Sequence, residues 1–251
     1  MKCLSINLWN TNEPFKIRME RLKTYICKNN PDIICLQEMS FINKISQVSF
    51  LQDEFNYNVI YSKSGVWEGR EEGLAIATKH KVIYSNSLNL PTKNAYNDMQ
   101  RIVLCVSVLI EGIEVTVFNT HLAYHINSAK CREYQALFIK ELINNNPSSN
   151  IILCGDFNRF DNENNDFYSL VQRNLVNVKM PPYDSSCDDK SFSKSNCFVS
   201  DELWPNRNID YIFVSPNGEF INTLCMNSND GFFPCSDHYG IITKGHFINE
   251  L

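Results

Sequence analysis

Polar residues with reactive side chains stand in this sequence where apolar runs stop. Asn7 closes the run from Cys3, Gln37-Glu38 follows Ile33 to Leu36, and His121 follows Val115 to Thr120. Asp156 and Asn158 come after Ile151 to Cys154, Asp210 sits at the head of Ile209 to Val214, and Ser236-Asp237-His238 precedes Tyr239 to Thr243. Layered α/β proteins gather ligand sites at strand ends, so carboxylates, amides and histidines recurring in that one context point to a shared site. The chemistry such a set suits is phosphoester hydrolysis. Glu38 and Asp156, with Asn7 beside them, offer hard oxygen ligands for Mg2+, with Mn2+ as a substitute. No CxxC pair or Cys/His spacing competes for zinc. A divalent ion neutralises phosphate charge and polarises the attacked phosphorus. A histidine beside a carboxylate keeps its proton, and His238 has Asp210 and Asp237 as candidate partners, so it can donate hydrogen bonds to a charged transition state.

The elements that must carry these residues follow from hydrophobic periodicity. Cys3 to Leu8 alternates like a strand, Phe15, Met19, Leu22 and Ile26 recur at helical spacing, and Ile33 to Leu36 is an apolar run after Pro31. That is a β-α-β opening. Phe41 to Phe55 carries a looser helical pattern. Asn58 to Tyr61, Leu74 to Thr78, Val82 to Leu88, Arg101 to Ile110 and Ile113 to Asn119 read as strands, with Glu111-Gly112 as a hairpin turn. Ser128 to Ile143 reads as a helix, with Cys131, Tyr134, Phe138 and Leu142 on one stripe. Ile151 to Cys154, Ile209 to Val214, Phe220 to Met226 and Tyr239 to Thr243 complete the strands, and the polar stretch from Pro181 to Pro205 reads as a long surface excursion. No repeat or Pro/Gly/Ser linker divides the chain, so residues 1–251 read as a single domain of mixed sheets flanked by helices.

Composition narrows the class. At 251 residues, with 43% hydrophobic and 20% charged, the chain is too apolar for disorder and long enough for a sizeable core. Lys and Arg number 23 against 28 Asp and Glu, and the net charge of -5 removes the simplest electrostatic case for a protein that coats nucleic acid or anionic membrane. A local basic groove is still compatible with it. The 10 cysteines lie far apart, several inside apolar runs as Cys35 does, which reads as buried free thiols. Cys187 and Cys197, in a polar loop, are the pair that could bridge in an oxidising compartment. The N-terminus runs straight into a strand, and no apolar run approaches the ~20 residues a bilayer needs. A cytoplasmic protein with no membrane span and no obligate protein partner is the expectation.

Six motifs in order, Ser5-Ile6-Asn7-Leu8-Trp9, Leu36-Gln37-Glu38, Asn119-Thr120-His121-Leu122, Gly155-Asp156-Phe157-Asn158, Ile209-Asp210-Tyr211-Ile212 and Ser236-Asp237-His238, resemble the endonuclease/exonuclease/phosphatase superfamily, whose fold is that of deoxyribonuclease I. The resemblance implies an α/β architecture, a four-layer α-β-β-α sandwich of two packed mixed β-sheets flanked by helices. It implies Glu38 as the principal metal ligand, with Asn7 close to the metal and the scissile phosphate and Asp237 near the metal. Asp156 is implied to orient or deprotonate the attacking water, Asn158 to hold the phosphate, and Asp210 to fix His238. His121 matches an additional histidine of this group, whose partner would be Glu72, with Glu71 as the fallback. Arg132 and Gln135, at i, i+3 on the following helix, could support the active-site loop or face solvent. Arg101 could touch a substrate phosphate or guard an edge strand, and Trp9, Trp67 and Trp204 could stack on a base or pack in the core.

The function so implied is Mg2+-dependent hydrolysis of a phosphodiester by in-line attack of water, on nucleic acid or a nucleic-acid adduct. Ser236 to Gly240 and Pro31 to Glu38 look closest to the tyrosyl-DNA phosphodiesterase branch. A phospholipid or phosphoinositide hydrolase of the sphingomyelinase or inositol phosphatase type is the alternative, and a binding protein that kept the fold without the chemistry is the other class.

Overall fold

The computed structural model of the protein describes residues 1–42, 44–96, 98–160, 175–177, 190–200, 206–227 and 230–248. The chain opens with β1 (Lys2–Asn7), α1 (Phe15–Asn29) and β2 (Ile33–Ile42). Asn30, in the left-handed conformation, caps α1 by donating its N–H to the Ile26 carbonyl, and Pro31 then bars the helix from continuing. Next come β3 (Ile45–Ser46), the single turn α2 (Phe50–Asp53), β4 (Asn58–Trp67), β5 (Arg70–Thr78) and β6 (Lys81–Asn89). They are followed by β7 (Ile102–Ile110), β8 (Ile113–His121), α3 (Ala129–Asn144) and β9 (Ile151–Asp156). β10 (Val176–Asn177), β11 (Asp210–Val214), β12 (Gly218–Cys225) and β13 (Gly240–Phe247) close the order.

Two sheets result, one ordered β12-β13-β1-β2-β5-β4 with β3 on the flank of β2, the other β10-β11-β9-β8-β7-β6. Both are mixed for the same reason. The pairs β1/β2 and β8/β9 are parallel because α1 and α3 cross over between them, and the remaining pairs are antiparallel. Alternate side chains then go to opposite faces. Cys3, Ile33, Cys35 and Ile76 from the first sheet meet Leu104, Val106, Val117 and Ile152 from the second in the central core. On the first sheet's outer face Leu4, Ile6, Ile34 and Leu36 lie under Met19, Leu22 and Ile26 of α1. On the second, Phe118, Leu153 and Phe213 lie under Ala136, Ile139 and Ile143 of α3. The four-layer α-β-β-α sandwich expected from the sequence is the observed one.

The segment 41–55 departs from expectation. The looser helical pattern there resolves into the end of β2, the short β3 and the one-turn α2, with Val48 and Leu51 as its fully buried anchors. The turn at Glu111-Gly112 is a hairpin, both residues having positive φ (51° and 85°) as a primed turn requires. Cys187, hence its expected pairing with Cys197, and Trp204 lie outside the described residues. Among the described residues no helix is long and apolar enough to cross a membrane.

Candidate active site

The two parallel pairs end at the same edge of the sandwich, and the polar residues that end them meet there. Asn7 finishes β1, and Glu38 sits in the irregular stretch of β2 between Leu36 and Met39, with φ of 51°. His121 and Asp156 finish β8 and β9 side by side, being register partners, and Asp210 opens β11 opposite Asp156. Asp237 and His238 lie just ahead of β13. Gly155 is required where β9 passes β8: its φ is 145°, and a Cβ there would stand 1.9 Å from the Thr120 carbonyl oxygen. Below this edge Asn119 ties the sheets together. Its Nδ2 donates to the carbonyls of Leu36 (2.9 Å) and Ala75 (3.0 Å), and its Oδ1 accepts from Gln37 (2.7 Å).

The site residues form a connected network. Asn7 Nδ2 donates to Glu38 Oε1 and to Asp156 Oδ2, both at 3.0 Å, bridging the two sheets, while its Oδ1 accepts the Trp9 N–H at 2.9 Å. His238 Nδ1 lies 2.8 Å from Asp210 Oδ2, and its Nε2 lies 3.7 Å from Asp156 Oδ2. His121 Nε2 is 3.5 Å from that same oxygen, so both imidazoles face Asp156. Its Nδ1 stands 4.0 Å from Glu72 Oε1. Glu72 points into the pocket, whereas Glu71, the next residue of the strand, faces the other way toward Lys63 and Tyr61. Asn158, with φ of 50°, donates from Nδ2 to the Leu122 carbonyl (3.1 Å), and its N–H goes to Asp156 Oδ1 (2.9 Å). Asp237 Oδ1 accepts from Ser236 at 3.1 Å.

Burial and crowding set the charge states. The Glu38 carboxyl is pushed up to about 8, by burial first and then by the charges of Glu72 and Asp237. Asp156 is pushed up to about 6 by burial and by Asp210. Burial also raises Glu72, against the pull of Arg101, and Asp237. Burial works against a charged His238, yet Asp210, Asp237 and Asp156 outweigh it and hold its pKa well above the usual value. His121 goes the other way: burial, then Arg101 and His238, keep it well below the ordinary imidazole range and so neutral. One cationic and one neutral imidazole thus flank one carboxylate.

Arg101 is 4% exposed, lines the pocket and is held by Asp98, whose Oδ1 accepts from its Nε (3.0 Å) and Nη2 (3.0 Å). Its Nη1 is buried without a hydrogen-bond partner, Glu72 being 3.8 Å away. An unpartnered guanidinium nitrogen over the carboxylates is a ready contact for a phosphate oxygen. Gln135 accepts the Ala123 N–H (3.0 Å), and Arg132, fully buried, donates to the carbonyls of Ala123 (2.6 Å) and His125 (2.8 Å). Both therefore support the loop after His121 and do not face solvent. Trp9 and Trp67 line the pocket, the latter edge-on to Tyr124 with ring centroids 5.2 Å apart. The pocket encloses about 420 Å³.

The profile of the Endonuclease/Exonuclease/phosphatase family matches residues 4–238. The chain belongs to this family. Family members hydrolyse phosphoester bonds. A family protein from Leptotrichia buccalis C-1013-b superposes with a TM-score of 0.75 at 22% identity, over 98% of this chain and 100% of that one. D. rerio TDP2, solved with a single-strand DNA product, gives 0.72 at 21% identity, over 98% of each chain. The probable CCR4-Not complex 3'-5'-exoribonuclease subunit Ccr4 of Vairimorpha ceranae (strain BRL01) is 24% identical over 88% of this chain, which spans about half (54%) of that relative's length.

Within the family frame, three supporting residues escaped the sequence reading. Asp98 holds Arg101 and also accepts the Tyr124 N–H at 2.9 Å. Asn10 reaches Glu72 Oε2 at 3.4 Å. Arg18 of α1 is fully buried and donates to the carbonyls of Leu8 (2.7 Å), Asn10 (3.0 Å), Asn12 (2.7 Å) and Cys235 (3.0 Å). It joins the loop after Asn7 to the segment leading into Asp237 and His238. The available signal was a charge at i+3 from Phe15 and i−4 from Leu22, on the apolar stripe of α1.

Proposed function

We propose that this chain is a divalent-metal-dependent phosphodiesterase acting on nucleic acid or a nucleic-acid adduct. The observation that carries the proposal is the convergence of Glu38, His121 and His238 on Asp156, through the Asn7 bridge and two imidazole nitrogens, beneath the unpartnered Arg101 nitrogen. The donor set fits a hard dication. Glu38, Glu72, Asp156 and Asp237 line one pocket, and beyond the effect of burial the charges of Glu72 and Asp237 raise Glu38 and that of Asp210 raises Asp156, repulsion that a bound cation would relieve. Glu38, with Asp237 beside it, would hold the ion. The tighter group of Asp156, Asp210 and His238 is already committed to a hydrogen-bonded pair. A bound dication supplies charge neutralisation on the phosphate and polarisation of the P–O bond.

The chain's own residues supply the rest. Asp156, with Oδ1 held by the Asn158 N–H and Oδ2 by Asn7, presents an oriented carboxylate that can align a water and accept its proton. His238, cationic and fixed at Nδ1 by Asp210, offers its Nε2–H to the charge that develops on the phosphoryl oxygens. His121 adds a neutral donor on the other side of Asp156, and Arg101 Nη1 anchors a non-bridging oxygen. D. rerio TDP2 with its single-strand DNA product and the 3'-5'-exoribonuclease relative support nucleic acid as the substrate class. The deciding experiment is hydrolysis of single-stranded DNA, 5′-tyrosyl DNA, RNA, a phosphoinositide and sphingomyelin in Mg2+, with and without chelator, beside Glu38→Gln. Chelator-sensitive cleavage of a nucleic-acid substrate that Glu38→Gln abolishes is expected. Turnover of a lipid alone, or full activity in the variant, overturns the proposal.

A further inference from the structure

A second surface begins where the active-site pocket ends. Trp9 lines the pocket, and its ring lies 5.6 Å from that of Phe198. The Arg21 guanidinium is 5.9 Å from the Phe198 ring and 5.2 Å from that of Phe233, and Lys28 Nζ stands 5.2 Å from Phe232. Rings and cations thus alternate from the rim of the site along the outer face of α1. This face forms a groove of about 420 Å³ whose charged lining is Lys16, Arg21 and Lys28 against Glu20 alone. Phe233 is 66% exposed and Ile17 54%, large apolar surface for a soluble face. Among the described residues none of the three cations forms a salt bridge, although Arg21 also donates to the Pro234 carbonyl at 2.8 Å. The patch is basic on a chain of net charge -5.

We infer that this face of α1 is a track for a single strand of nucleic acid leaving the catalytic pocket past Trp9. Stacking platforms interleaved with cations serve unpaired bases and their phosphates, and a duplex cannot present its base faces to them. Continuity with a phosphodiester pocket and charge complementarity favour this polyanion over an acidic peptide or a lipid surface. From Lys16 to Lys28 the helix spans about 18 Å, enough to follow a strand for a few nucleotides. The inference rests on the nucleic-acid reading of the pocket and extends it to substrate length.

The test separates the two. Binding of a fluorescent single-stranded oligonucleotide of ~15 nucleotides is followed by anisotropy in chelator, and cleavage of the same strand and of a trinucleotide is followed in Mg2+. Phe233→Ser combined with Lys16→Glu and Lys28→Glu alters exposed side chains only and is expected to fold. The variant is expected to weaken binding of the long strand ~10-fold or more and raise its KM, leaving trinucleotide cleavage unchanged. With Arg21→Glu added, the slope of log affinity against log salt is expected to fall by about 2, three phosphate contacts at ~0.7 each. Long-strand binding lost in the variants while the wild type cleaves nothing would support the track and refute the catalytic reading. Cleavage independent of length, variants that bind like wild type, or variants that lose only anionic-vesicle binding overturn the track.

Discussion

Removing the Arg18 guanidinium is expected to loosen the metal side of the site and cost a measurable fraction of the stability. The side chain is 0% exposed and serves five carbonyls, those of Leu8, Asn10, Asn12 and Cys235 at 2.7 to 3.0 Å and that of Trp9 at 3.4 Å. In Arg18→Met the carbonyls of Leu8, Asn12 and Cys235 lose the donors Arg18 gives them, at about 1–3 kcal/mol for each that stays buried, whereas Asn10 keeps Gln47 Nε2 at 3.3 Å and Trp9 keeps Asn12 Nδ2 at 3.1 Å. The full sum is not reached, because the cation no longer has to be desolvated, a burden visible in the lowered Arg18 pKa, and because Met fills part of the volume. A net loss of about 3–5 kcal/mol follows, which for a chain of this size is a fall in Tm of about 6–20 °C. Arg18→Lys keeps the charge and three donors and is expected to lose about half as much. Differential scanning calorimetry in chelator reads the loss, and the Mg2+ concentration for half-maximal activity reads the displacement of Trp9 and Asp237. A variant within about 1 kcal/mol of wild type would refute the reasoning, since the carbonyls would then have found water or other donors.

The other predictions concern charge and backbone. Gly155→Ala is expected to destabilise by about 3 kcal/mol or more in urea unfolding, because its Cβ meets the Thr120 carbonyl at 1.9 Å; an unchanged midpoint would contradict the close approach. In metal-free protein Glu38 and Asp156 have folded pKa values of about 8 and about 6, above the ordinary carboxylate values of about 4. Their contribution to stability is therefore fully present below about pH 4 and is lost as pH rises through 6 and then 8. Tm in chelator should fall over that window, Mg2+ should restore it most at the alkaline end, and Glu38→Gln should flatten the upper part; a Tm that rises from pH 6 to 8 in chelator and is unaffected by Glu38→Gln would count against it. Asp210→Asn removes the carboxylate that most raises His238, so kcat should drop about 10²-fold or more with KM nearly unchanged, and the alkaline limb of the pH-rate profile should move to lower pH. An unmoved limb would separate Asp210 from the charge state of His238.

The legible parts of the molecule were those in which local pattern and tertiary role agree. The runs Cys3 to Asn7, Ile33 to Leu36, Val115 to His121 and Ile151 to Asp156 are buried strands that change from apolar to polar where they leave the sandwich, so the polar ends that meet there could be read directly. The choice of Glu72 over Glu71 needed the register of β5, because adjacent strand residues differ only in the face they present. The segment 41–55 misled because β2 runs on to Ile42 through an irregularity at Glu38 that no glycine announces. Asp98, Asn10 and Arg18 stayed hidden, since their partners lie on other segments and nothing local marks a side chain that serves a distant carbonyl.

The Asn7 bridge spans from the first sheet to the second: Glu38 belongs to one and Asp156 to the other. The working distance between these two carboxylates is accordingly a property of the gap between the sheets, and that gap is gauged by whatever fills it. Beneath the site the filler is small, the thiols of Cys3, Cys35 and Cys154, whose sulfurs lie within 4.8 Å of one another. A leucine in place of any one of them would act as a wedge under the active site. With Glu38 and Asp156 in the roles proposed above, catalysis is expected to respond to side-chain volume at positions that never meet a substrate.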